Sequence, residues 1–233
     1  MGPLHSLAKV ASVRADRSPA SVGAASSVPS RGSLSSIRVL LVALGVGLAI
    51  GIATSVGQGL LPEALAPLSN SSGSWCLCAF ALALLERDPR RAALVGFASL
   101  VAMLAGYALA TDLRGYPVGT SMFVRWGAAA VIAGPALGVG AAWLRGPDPL
   151  RAAAGVAPIA GILLGEGLYG LTVVAATTSV GYWLAELALG LAVLVLAAIR
   201  IRTWRGIALM LALSAFASVV FYLVYTRVLG DLF

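Results

Sequence analysis

Two acidic side chains, Glu166 and Glu186, stand inside long apolar runs, and an arginine, Arg125, sits near the start of another. A carboxylate in a hydrocarbon setting costs roughly several kcal/mol unless it is paired, protonated or wet. Such groups are therefore expected to face one another or a hydrated cavity. The stretch "LLGEGLYG", residues 163–170, surrounds Glu166 with small residues and places Tyr169 one helical turn away, within reach of a hydrogen bond. Gln58 and Thr54 are four residues apart and share a helix face. Asn70 and Trp75 belong to the polar stretch "LSNSSGSW", residues 68–75. Together, Glu166, Glu186, Arg125, Tyr169, Gln58, Asn70 and Trp75 are the candidate ligand-binding residues. The carboxylates would supply negative charge, Arg125 the counter-charge, and the others selectivity.

The elements that must carry these groups follow from composition. The chain has 233 residues, of which 60 % are hydrophobic and 11 % charged. A soluble domain would carry roughly a quarter charged residues. Apolar segments lie at about 36–60, 73–86, 92–111, 122–144, 152–175, 180–199 and 206–229. Most have about the 20 residues that cross a hydrocarbon core of about 30 Å. Lipid makes each crossing segment satisfy its own backbone, so helices are expected. The fold class is an all-α, polytopic membrane helix bundle of about seven transmembrane helices. The second segment is the shortest.

Orientation follows from the basic residues. With the amino terminus cytoplasmic, 13 of the 16 Lys and Arg fall on the inner side, leaving Arg114, Arg125 and Arg227 outside. "ERDPRR" and "RGPDPL" read as tight inner turns broken by proline. Residues 1–35, rich in Ser, Ala and Arg, read as a disordered cytoplasmic tail; residues 36–233 form the transmembrane domain. No removable signal peptide is expected. The location is a cell membrane, as a multi-pass protein in contact with the lipid bilayer.

In that frame Glu166 lies about nine residues from the outer end of its helix, about 14 Å deep, and Glu186 about six residues in, about 9 Å deep. By depth, Arg125 should pair with Glu186, with Glu166 nearer the floor of a polar pocket. Trp75, Trp126, Trp183, Tyr116 and Tyr182 fall at the same level, where such rings usually form an interfacial belt. Ser71 or Ser72 is a fair N-cap for the second helix; the stretch could instead fold over the pocket as a polar lid. "GILLG" (161–165) and "GPALG" (134–138) are small-xxx-small patterns that let helices approach closely.

Several functions are disfavoured. The pI near 10.1 comes from arginines in short turns, so no nucleic-acid partner is implied. Cys76, Cys78 and a distant His5 make no metal site; no cofactor is expected. "GEGLYG" spells GxGxxG without a preceding strand, so the dinucleotide reading fails. No HExxH, GxSxG or Walker pattern occurs. Catalysis would rest on Glu166, Glu186 and Asp112 alone, so no enzyme is expected.

The motifs "GQGLLP" (57–62), "LSNSSGSW" (68–75), "GY" (106–107), "RW" (125–126), "GP" (134–135) and "GEGLYG" (165–170) occur in that order. With them the chain resembles, over about residues 36–228, a group of uncharacterised actinobacterial multi-pass membrane proteins defined only as a domain of unknown function. The resemblance implies no activity. A looser likeness is to the substrate-binding subunits of energy-coupling-factor vitamin transporters, which are small, glycine-rich, six-helix proteins that bind a solute from outside. The chain shares their size, arginine-rich inner turns and outer polar cluster, but not their span number or a vitamin-binding signature. The functional expectation is a protein that binds or transports a small solute through an outward-facing polar pocket. The alternative is a non-catalytic structural or assembly subunit with a membrane-protein partner, its polar groups only locking helices together.

Overall fold

The computed structural model describes residues 31–229, with side chains from 35 to 227. The expectation of a disordered tail falls, up to residue 30, outside the described residues. From Arg31 onward the chain is already helical. Each of the seven apolar segments forms an α-helix: α1 (Arg31–Leu60), α2 (Ser72–Ala83), α3 (Pro89–Leu113), α4 (Thr120–Arg145), α5 (Pro149–Thr172), α6 (Val180–Ile201) and α7 (Trp204–Val224). No strand occurs among the described residues. A short 3-10 helix, Glu63–Ser69, connects α1 to α2, and a π-helical turn, Tyr225–Leu229, extends α7.

Six of the helices are long and apolar enough to cross a membrane. The chain is a polytopic membrane helix bundle. The second helix differs from the other six. Its 12 residues rise about 18 Å, well short of a hydrocarbon core of about 30 Å. It starts inside the bundle, where Ser69, Ser71 and Gly73 are buried.

α5 is the central helix. It packs against α4, α6 and α7, while α3 links α1 to α4, and α2 inserts among α3, α4 and α5. Glycines set these distances. A Cβ on Gly165 would lie 2.7 Å from the Ser218 carbonyl oxygen and 3.0 Å from Phe221 Cβ, so α5 and α7 touch along "GILLG". "GPALG" does the same between α4 and α3, where Gly134 and Gly138 face the backbone of α3. Both close approaches were expected from the spacing. The faces of α1, α6 and α7 that lack such neighbours are lined by exposed Leu, Val, Ile and Phe, as lipid contact requires.

The arginine-bearing turns gather at one end. Arg91 Nη1 donates to Ser36 Oγ at 2.8 Å, Arg145 donates to the Leu84 carbonyl, and Arg200 Nε donates to the Leu144 carbonyl at 2.7 Å. Arg145 and Arg200 thus close carbonyls at helix C-terminal ends. Two of the three prolines in these turns open helices: Pro89 and Pro149 are first residues, each after an aspartate N-cap. Asp148 Oδ1 accepts from the Leu150 N–H at 2.9 Å and the Arg151 N–H at 3.3 Å. Asp148→Ala is expected to lower stability by about 1 kcal/mol, and Asp148→Asn much less, because Asn caps nearly as well. Thermal unfolding of the two variants in detergent checks this; equal losses would refute it.

Candidate functional site

A cavity of about 410 Å³ opens near the bundle end opposite the arginine-bearing turns. α1 contributes Thr54 and Gln58, and the connection to α2 contributes Ser69 and Asn70. The first turns of α2 add Ser71, Ser72 and Trp75. Leu104 and Tyr107 come from α3, and Ser121, Met122, Arg125 and Trp126 from α4. The size suits a small-molecule site.

Most polar groups on this wall satisfy one another. Trp75 Nε1 donates to Thr54 Oγ1 at 3.1 Å, and that hydroxyl donates to the Ile50 carbonyl at 2.8 Å. Gln58 Nε2 donates to Asn70 Oδ1 at 2.9 Å, and the Tyr107 hydroxyl donates to Gln58 Oε1 at 3.3 Å. The rings of Trp75 and Tyr107 meet edge to face at 6.2 Å. Two buried polar atoms on the wall have no partner, Arg125 Nε and Ser69 Oγ. Buried polar atoms are normally bonded, so two orphans on residues that line one cavity call for an explanation.

Glu166 and Glu186 do not line this cavity. They lie behind the start of α2 and serve it. Ser71 is the N-cap, its hydroxyl accepting from the Ser74 N–H at 3.2 Å. That same hydroxyl lies 3.1 Å from Glu166 Oε2 and 3.3 Å from Glu186 Oε1. The Ser72 N–H donates to Glu166 Oε1 at 2.8 Å, and the Gly73 N–H donates to Glu166 Oε2. A buried carboxylate therefore satisfies the unpaired N–H groups and the positive end of the α2 dipole. Gly73 makes room for it: a Cβ there would collide with Glu186 Oε1 and lie 2.8 Å from Glu166 Oε2. Glu186 Oε2 is buried without a partner.

Of the candidate residues, the structure brings Arg125, Gln58, Asn70 and Trp75 together at the cavity. It separates Glu166, Glu186 and Tyr169 from them by the first turn of α2. The expected Arg125–Glu186 pair does not form. Among the described residues the one ion pair is Arg151–Asp148, on the surface at 3.6 Å. Equal depth did not bring the two together, because Ser71 and the α2 N-terminus take up Glu186 and Glu166. Tyr169 makes no hydrogen bond to Glu166; it packs edge-on against the Tyr225 ring at 5.3 Å.

The polar stretch 68–75 acts both as the cap of α2 and as cavity wall. The aromatic belt reading fits Tyr116, which is exposed, but not Trp183, which is buried against Gly170. Nine of the 13 wall residues were not among the site candidates, Ser69, Tyr107, Ser121 and Trp126 among them. The Tyr225 hydroxyl, bonded to the Ser72 hydroxyl, also carried no local signal. Cys76 and Cys78 are free thiols, and among the described residues no group of three or more His, Cys, Asp or Glu is placed to hold a metal.

A family model described as a family of unknown function, DUF6518, matches residues 31–230. No curated protein and no solved structure matches the chain.

Proposed function

We propose, for a chain that belongs to the DUF6518 family of unknown function, that it binds a small solute in the cavity between α1, α2, α3 and α4. The reading places the protein in the cell membrane with the cavity facing outward, since the arginine-rich turns at the other end suit the cytoplasmic side. One observation carries it: a cavity of ligand size is lined by Arg125, the one charged residue on its wall, whose guanidinium has no partner in the bundle among the described residues. Arg125, Gln58, Asn70 and Trp75 make the contact surface. Glu166, Glu186 and Tyr169 act from behind by holding α2 in place. A transport role would use the same surface as its entry site.

Mass spectrometry of what leaves the purified protein on denaturation tests the reading. The wild type should release a stoichiometric small molecule. Ser121→Trp fills the cavity from the exposed first turn of α4 and should abolish the release with an unchanged unfolding temperature. No release from the wild type, or the same release from the filled variant, would end the proposal. The competing reading, a structural or assembly subunit, has one observation in its favour: the two buried carboxylates serve helix packing itself. It expects a stoichiometric protein partner on purification and no bound solute.

A further inference from the structure

We infer that the ligand of this cavity carries a single oxyanion, carboxylate or phosphate, on a flat apolar body. This rests on the solute-binding reading above and names its chemical class. Arg125 is the one charged side chain on the cavity wall, and no carboxylate shares that wall. Among the described residues it has no ion-pair partner, and its Nε is buried and unbonded. A guanidinium presents a planar fork of donors that matches an oxyanion's two oxygens.

The N-terminus of α2, the usual rival for an anion, is already occupied. Its N–H groups at Ser72 and Gly73 are given to Glu166. A second negative charge on the ligand would find no further cation on the wall. One negative charge is therefore the match.

Much of the wall's polarity is already used within the bundle, which suits a hydroxyl-rich solute poorly. Gln58, Asn70 and Tyr107 bond to one another, and Trp75 to Thr54. A sugar would have to break that chain to be satisfied. Trp75, Tyr107 and Trp126 instead offer ring surfaces to an apolar body. The same chemistry could come from a free solute or from the headgroup of an anionic lipid.

Three probes with one ring and different charge test this: benzoate, benzamide and benzylammonium. They are titrated against tryptophan fluorescence of the full chain in phosphatidylcholine nanodiscs. Benzoate should bind about tenfold or more tighter than benzamide, and benzylammonium weakest, since charge-assisted bonds are roughly twice as strong as neutral ones. Arg125→Gln should erase the preference for benzoate, and Arg125→Lys should keep part of it. Because Arg125 has no partner in the bundle, both variants should unfold at the wild-type temperature. Equal binding of the three probes, or a benzoate preference that survives Arg125→Gln, overturns the oxyanion class and leaves the solute pocket standing. No binding of any probe, with no molecule released on denaturation, overturns both. Replacing part of the phosphatidylcholine by phosphatidylglycerol separates the sources. A lipid ligand would weaken benzoate in the wild type and not in Arg125→Gln, whereas a free solute would leave the wild-type titration unchanged. Either result supports the class.

Discussion

Glu166→Ala is expected to destabilise the bundle by about 3–5 kcal/mol, the cost of leaving buried charge-assisted partners uncompensated. Glu166 is 1 % exposed, so water cannot replace it. Its loss strands the N–H groups of Ser72 and Gly73 and the Ser71 hydroxyl at once. It also removes the anion that the positive end of α2 faces. α2 is the shortest of the seven α-helices, docked rather than spanning, and Glu166 is the group that satisfies the N–H groups at its buried start. Glu166→Gln keeps one acceptor oxygen but turns an amide donor toward donors, so it should lose about half as much. Thermal unfolding in detergent reads the stability. Reaction of Cys76 with a thiol dye reads the local effect, because that buried side chain lies one turn beyond Ser72. Wild-type stability for Glu166→Ala, or loss of stability with Cys76 still protected, would show that the carboxylate is not what holds α2.

The second large effect is expected at the contact of α3 with α4. A Cβ on Gly138 would collide with the Ala92 carbonyl oxygen and lie 2.5 Å from the Ala92 carbonyl carbon and 2.7 Å from Ala93 Cα. These are backbone atoms of a regular helix, and none can rotate away. Gly138→Ala must therefore push the two helices apart, at a cost of about 3 kcal/mol, the upper part of the usual range for overpacking. The displacement should reach the cavity, since α4 also carries Arg125 and Trp126. Gly127→Ala is the control on the same helix. Nothing lies within 4 Å of its Cβ position, so it should be neutral or stabilising by up to about 1 kcal/mol through helix propensity. If both variants unfold alike, close backbone approach is not what joins α3 to α4.

Much of this architecture was legible before any coordinates. Seven apolar runs became seven helices because lipid leaves the backbone no other way to satisfy itself. "GILLG" and "GPALG" marked two close contacts because only small residues let backbones approach. Four of the seven site candidates, Arg125, Gln58, Asn70 and Trp75, met at one cavity because a fixed rise per residue sets the depth of each group along its helix. The role of Glu166 was not legible. Depth says nothing of which way a side chain points around its helix or which neighbour fills the space it points into. That choice depended on α2, a helix too short to span, whose unpaired N–H groups start inside the bundle and claim the carboxylate by hydrogen bonding. Once they had done so, Arg125 was left without the partner its depth suggested, and only the packed bundle could make that assignment.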